Sequence, residues 1–249
     1  MLALLKGRYS ARLADCAADV LAAKTLRYQC FIAGRPADRG QGVDEDHFDD
    51  ICQHMLVHEA GSGALACTYR LLPLAHGRDI HRSYAAQTYD LTRLSSFDAP
   101  MLELGRFCIA PGRAPDADLL RVAWGAMARI VDAHDVGLLF GCSSFAGANA
   151  ALHHDALQAL ARRNLAPVAM APLKKHAEIV DYAANLMSFD ARAAQAQTPA
   201  LLRTYLMMGG WVSDHAVIDR ALDTLHVFTG LPIAAIPPAR ARALRALAV

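Results

Sequence analysis

The stretch Leu102–Pro111, "LELGRFCIAP", sets two opposite charges into a run of strand character, with Glu103 and Arg106 three residues apart and Gly105 between them. A carboxylate held in apolar surroundings has a raised pKa and can take a proton from an attacking amine, directly or through a water. In a regular strand Glu103 and Arg106 point to opposite faces. Gly105 is the kind of residue that marks a bulge or a close backbone approach. A bulge would change the face on which Arg106 emerges and leave a backbone N–H for a ligand carbonyl. A donor aimed at a developing oxyanion is a recurring device of acyl transfer. The same residues fit a buried Glu–Arg pair that only holds a sheet together, and the pattern alone leaves both readings open.

Other groups could join this chemistry. Asp46, Asp49 and Asp50 surround Phe48. They could hold the cationic groups of a substrate, or form an acidic turn in which Asp46 or Asp49 caps a helix. Arg27 and Arg70 are further guanidiniums able to clamp a carboxylate bidentately. "GCSSFAG" offers Cys142 as a nucleophile if a base lies nearby, but it lacks the G-x-S-x-G elbow, and its better reading is the end of a strand. His54 and His58 on one strand lie about 13 Å apart at 3.3 Å rise per residue, too far for one ion. His153 and His154 point in different directions on a helix. There is no H-E-x-x-H, so no metal is expected.

These residues need elements to position them. Ala14 to Ile32 reads as a helix with Leu21, Tyr28 and Ile32 on one face. A polar, glycine-containing loop follows. "HMLVHE" and "ALACTYRLL", joined by Gly61-Ser62-Gly63, read as a hairpin. "MLELGRFCIA" and "GLLFGCSSF" are further strands. Between them Leu119, Ala123, Met127 and Ile130 keep helical spacing after a start at Pro115-Asp116. "ALHHDALQALARRNL" is another helix. "AQAQTPA" reads as a linker into a C-terminal lobe, Leu201 to Ile236, which ends on the strand "HVFTGLPI". Trp211 and Asp214 of this lobe either shape a substrate pocket or attach the lobe. The tail "PPARARALRALAV" reads as a frayed terminus. A short helix bearing Arg240, Arg242 and Arg245 is the alternative, suited to a membrane surface. A hairpin followed by strand–helix–strand predicts an α/β (α+β) fold around one mixed sheet. The expected organisation is a core over 1–192 with a C-terminal extension over 193–249.

Composition narrows the function. The chain has 249 residues, 54% of them hydrophobic, and a formal net charge of +1, which leaves no electrostatic footprint for nucleic acid. The N-terminus shows no secretory pattern, and Val136 to Leu152 falls short of a membrane span. Six scattered cysteines without a C-x-x-C pair read mostly as small core residues of a cytoplasmic protein.

At "LELGRFCIAP" the sequence resembles the N-acyltransferases that load a 3-hydroxyacyl chain from acyl carrier protein onto ornithine to make lyso-ornithine lipid. The strand is also similar to the "E-L-S-R-F" segment of acyl-homoserine-lactone synthases. Both belong to the GNAT superfamily. "LRYQCF" from Leu26, "DHFDDICQHMLV" from Asp46, "TYRLL" from Thr68, "GCSSFAG" from Gly141 and "LLRTYLMMGGWVSDHAVID" from Leu201 agree with the first family in order, and the last segment is unlike the lactone synthases.

The resemblance implies a GNAT-like mixed sheet flanked by helices, extended at its C-terminus. It casts Glu103 as the residue assisting amine deprotonation, with Arg106 beside it. It implies that Arg27, Phe31, Asp46, Asp49, Arg70, Phe107, Cys142, Ser143 and Ser144 line the substrate sites. The implied partners are acyl carrier protein, presenting its 4'-phosphopantetheine arm, and an amino acid, ornithine in the first place. No cofactor is expected to stay bound. One departure matters: where acetyl-CoA-using members have a glycine-rich pyrophosphate loop, this chain reads "PGRAPDADLL". Arg113, Arg121 or Arg129 could meet the acidic carrier. The expected place of action is the cytoplasm, with peripheral contact at the inner face of the membrane. Alternatives that stay open are another acceptor such as glutamine, homoserine-lactone synthesis, and a non-catalytic acyl or carrier-protein binding module.

Overall fold

The computed structural model describes residues 4–112 and 116–247. The chain opens with two short antiparallel strands, β1 (Leu4–Lys6) and β2 (Tyr9–Leu13), which sequence periodicity did not suggest because three to five residues show too few alternations. Helix α1 (Ala17–Phe31) follows. Its buried residues are Ala23, Leu26 and Arg27, whereas Leu21 is 55% exposed and Tyr28 and Ile32 are half-buried. The expected apolar face is therefore corrected: the helix turns an arginine inward, because buried carboxylates wait there.

Gly61-Ser62-Gly63 turns β3 (Gln53–Glu59) back into β4 (Leu65–Leu74). Gly63 takes φ +68°, which side chains rarely adopt, and its N–H donates to Glu59 O at 2.8 Å. The antiparallel register runs from Gln53 opposite Leu71 to His58 opposite Leu65. β5 (Tyr89–Asp90) is a short strand in a segment of 3-10 turns, and β6 (Met101–Ile109) carries the charged stretch. Helix α2 (Ala117–Ala133) buries Leu119, Ala123, Met127 and Ile130, the stripe expected from spacing. Next come β7 (Leu138–Ala146), α3 (His154–Arg163), β8 (Leu173–Lys174) and β9 (Ile179–Val180). Helices α4 (Ala191–Gln197) and α5 (Ala200–Met207), strands β10 (Trp211–Asp219) and β11 (Thr224–Pro232), and helix α6 (Pro238–Leu247) complete the chain.

Two compact units result. One comprises Met1–Pro73, Leu102–Val136 and Pro237–Val249; the other comprises Leu74–Met101 and Gly137–Ile236. The first carries neighbouring strands in the order β1-β2-β3-β4-β6 with α1, α2 and α6. Tyr69 on β4 donates from its hydroxyl to Ala123 O of α2 at 2.9 Å. The second carries the order β7-β11-β10-β9, with β5 paired to β8 separately. There β11 pairs antiparallel with β7, from Thr224 opposite Ala146 to Pro232 opposite Leu138. The fold is α/β, strands in sheets flanked by helices.

Two further expectations change. The "AQAQTPA" linker is largely helical: α4 is capped by Asp190, whose side chain accepts from Ala193 N at 2.6 Å, and it ends before Pro199, which cannot continue it. The basic tail is no frayed end but helix α6, with Arg245 in bidentate contact with Asp132 of α2 at 2.8 and 2.9 Å. Only Cys67 and Cys108 are buried; Cys16 is exposed and Cys30, Cys52 and Cys142 are half-buried, so most of the cysteines are not core residues. Among the described residues, no helix is long and apolar enough to cross a membrane.

Candidate active site

The acidic segment folds into a 3-10 turn, His47–Asp50, because two of its carboxylates cap it reciprocally. Asp46 Oδ1 accepts from Phe48 N at 2.9 Å, and Asp49 Oδ2 accepts from Asp46 N at 3.1 Å. The same two carboxylates then hold guanidiniums. Arg70 of β4 donates to Asp46 at 2.6 and 3.1 Å and to Asp49 Oδ1 at 3.0 Å. Arg27 of α1 donates to Asp49 at 2.6 and 3.0 Å, to Asp44 Oδ2 at 2.9 Å, and to the Asp44 carbonyl. Arg106 of β6 donates from Nε to Asp44 Oδ2 at 3.0 Å and places Nη2 3.6 Å from Asp46. The contacts close a ring: Arg27, Asp44, Arg106, Asp46, Arg70, Asp49 and back to Arg27. Three guanidiniums face three carboxylates, so each buried charge has a partner on both sides, which is the condition for carrying charges inside a protein.

Burial ranks the members. The Arg27 and Arg70 side chains are 1% and 3% exposed, whereas that of Arg106 is 16% exposed. Burial alone would raise the Asp49 carboxyl, but hydrogen bonds from Arg27, the Asp46 backbone and Arg70 outweigh it and hold the group well below the usual carboxylate range. Asp46 is likewise lowered, with burial opposed by Arg70 and Arg106. His54 of β3 lies against the ring, Nε2 3.3 Å from Asp49 O, and burial lowers its pKa and keeps the ring neutral. Phe48 is buried under the Arg70 guanidinium, 5.5 Å from ring centroid to Cζ.

Glu103 on β6 is 4% exposed. It shares its surroundings with Cys52, whose thiol is pushed up to about 12 by burial first, against Arg70, and then by Glu103, Asp46 and Asp49. The distortion expected at Gly105 lies one residue further on. Gly105 does not adopt positive φ, and a side chain there would meet nothing within 4 Å, so no close approach requires it. Instead Arg106 takes φ +54°, a left-handed conformation costing a non-glycine residue roughly 1–3 kcal/mol. Its ion pair with Asp44 holds it there. Phe107 stacks on Tyr69 with centroids 5.4 Å apart, and Phe31 ends α1 half-buried.

The residues expected along the donor arm lie on β7 in the other unit. Cys142 is half-buried opposite Phe228, Ser143 is buried and accepts from Thr229 Oγ1 at 2.9 Å, and Ser144 is exposed opposite His226. Trp211 is buried and stacks on Phe228; Asp214 is half-exposed beside His215. Arg113 lies outside the described residues. Arg121 is exposed and pairs with Asp118, and Arg129 on α2 is half-buried. At the start of α2, Asp116 caps the helix by accepting from Asp118 N at 2.9 Å and also accepts from Tyr9 Oη at 2.8 Å.

Sequence reasoning missed Asp44, which bridges two arginines, and His54 as a neighbour of Asp49. The signal was available: three arginines bound for the interior need three counter-charges, and Asp44 alternates with the exposed Glu45 to share a side with Asp46.

A family model described as an acetyltransferase (GNAT) domain matches residues 26–120, which span the ring and Glu103. The solved structure of FeeM, an N-acyl amino acid synthase from uncultured soil microbes, superposes over 92% of this chain and 94% of that one with TM-score 0.51 at 10% identity, a likeness of fold. The chain thus carries a GNAT domain. Among curated relatives, the L-ornithine N(alpha)-acyltransferase of Rhodobacter capsulatus is 33% identical over 229 residues, 88% of either chain. That of Brucella abortus is 32% identical, covering 91% of this chain and 85% of the relative. The chain belongs to the L-ornithine N(alpha)-acyltransferase family.

Proposed function

We propose that this enzyme transfers a 3-hydroxyacyl chain from acyl carrier protein to the α-amine of ornithine, giving lyso-ornithine lipid by direct attack on the thioester. The observation that carries the reading is the position of Glu103: a buried carboxylate on β6, the strand that the Arg–Asp ring grips through Arg106. Ornithine brings two ammonium groups and one carboxylate, where glutamine brings one of each. The names of the curated relatives support the same acceptor.

An α-ammonium with an ordinary pKa near 8 is mostly protonated at neutral pH. Glu103 takes that proton, directly or through a water, and the freed amine attacks the thioester carbonyl. A backbone amide of β6 stabilises the oxyanion. Collapse forms the amide bond and releases the pantetheine thiol, which regains a proton. Arg106, the most exposed guanidinium of the ring, receives the acceptor's carboxylate. Arg27 and Arg70, with Asp46 and Asp49, hold the frame, and Phe31 and Phe107 flank the acyl donor. The start of α2 favours a carrier protein over coenzyme A: Asp116 and Asp118 stand where a pyrophosphate would need bare amides. The protein acts in the cytoplasm, at the inner face of the membrane.

The test is the pH–rate profile of purified Glu103→Gln against wild type with ornithine and acyl carrier protein. The expected result is a fall in kcat of about 10²- to 10⁴-fold, the usual worth of a general base, with rate recovering as pH rises toward the amine's own pKa. A variant with unchanged kcat removes Glu103 from the reaction.

A further inference from the structure

The unit formed by Leu74–Met101 and Gly137–Ile236 exposes apolar side chains where α3 ends. Val168 is 78% exposed, Met187 57%, Leu186 55% and Leu165 39%. They belong to two segments that meet at the last turn of α3. Gln158 holds the second segment by donating to Tyr182 O and Asn185 O and accepting from Met187 N at 2.7 Å. Arg162 donates to Met187 O at 3.1 Å, and Arg162 and Arg163 both lie over the Phe189 ring. The first segment leaves α3 directly as "NLAPVAMAPL", Asn164 to Leu173, ten residues without a charge. It is tied back by Ala166 N to Val212 O at 2.8 Å and folded by a turn from Pro167 to Met170. The apolar loop is therefore held out rather than loose.

Cations bracket it in sequence: Arg162 and Arg163 before, Lys174 and Lys175 after, all exposed. Of the acidic groups nearby, Asp181 pairs with Lys174 and Glu178 with Arg220. Exposed apolar tips with a cationic border are the composition of a surface that sits in the headgroup region of a bilayer: the tips enter the acyl boundary and the cations meet anionic headgroups. From this we infer that the Leu165–Val168 and Leu186–Met187 tips form a docking surface for an anionic lipid membrane. The inference deepens the proposed function and rests on it in one respect: a one-chain acylated product belongs in a lipid phase, so an enzyme docked on the bilayer can deliver it there.

The test is flotation of the purified protein with phosphatidylcholine vesicles, with and without phosphatidylglycerol, for wild type, Val168→Asp with Met187→Asp, and Arg162→Gln with Arg163→Gln. Wild type is expected to float with the anionic vesicles. The aspartate pair should lose at least about 10-fold in partitioning, and the glutamine pair about 5-fold per removed arginine, only when anionic lipid is present. All variants should keep the wild-type circular dichroism and N-acylation rate in solution. Failure of wild type to float, or flotation unchanged in the aspartate pair, overturns the inference. A dimer that the aspartate pair dissociates also overturns it, assigning the face to a second copy. Flotation without N-acyl-ornithine formation keeps the docking surface and removes the acceptor reading instead.

Discussion

Replacing Asp49 with asparagine tests whether the Arg–Asp ring is one electrostatic unit. Asp49 accepts two hydrogen bonds from Arg27, one from Arg70 and one from the backbone of Asp46, and its side chain is 2% exposed. Asparagine keeps the shape but removes the charge and turns one acceptor into a donor pair facing guanidinium N–H groups. Three guanidiniums then share the two remaining carboxylates. Breaking a buried pair from one side costs about 3–5 kcal/mol, a large part of a typical total stability of about 5–15 kcal/mol. For a chain of this size that corresponds to a melting shift of roughly 6–20 °C. Asp46→Asn should cost less, about 1–2 kcal/mol, because that side chain is 23% exposed and water replaces part of the loss.

The assay is urea unfolding followed by circular dichroism, reading the midpoint at unchanged slope, at pH 7 and at pH 3. Asp49 has a folded pKa below its unfolded value of about 3.9, so its contribution is complete above that value and is lost as pH falls toward the folded pKa. The gap between wild type and Asp49→Asn should therefore narrow at pH 3. A variant within about 1 kcal/mol of wild type at pH 7, or a gap independent of pH, would refute the ring as a unit.

Three further predictions follow from individual contacts. His54 has a folded pKa lowered by burial, so it favours the folded state above its unfolded value of about 6.5 and opposes folding as pH drops below it; with Asp49, Arg27 and Arg70 facing it, His54→Gln should flatten stability between about pH 6.5 and 5, measured by thermal melts across that range. Gly230→Ala places a Cβ 2.4 Å from the Trp211 ring, inside a stack that includes Phe228, and should cost about 1–3 kcal/mol by overpacking, read as a lowered melting temperature. Arg245→Ala removes a pair whose side chains are 55% and 44% exposed and should cost at most about 1 kcal/mol, with the melting temperature nearly unchanged.

Elements with strong local signals were legible in the sequence. The Gly-Ser-Gly hairpin and the apolar stripe of α2 are set by turn chemistry and period, which act over a few residues. The inward face of α1 was not, because Arg27 is buried by partners seventeen and twenty-two positions away. Helix α4 was hidden by a composition of alanine and glutamine flanked by proline, which reads equally as a linker; the Asp190 cap decides it. The charged stretch was legible as a strand, but its distortion was assigned to glycine on intrinsic preference. Arg106 adopts the left-handed backbone instead, because its ion pair with Asp44 outweighs that preference. Periodicity carries no information on such pairings. Counting the arginines against the carboxylates would have pointed to Asp44.

The central claim is tested most directly by mass spectrometry of a reaction containing purified protein, 3-hydroxyacyl carrier protein and equimolar ornithine, lysine, glutamine and glycine, with Glu103→Gln in parallel. The account predicts an N-acyl-ornithine ion from wild type, no acylated enzyme, and loss of the ion in the variant. A product on glutamine alone, or an ornithine product undiminished in Glu103→Gln, would contradict it.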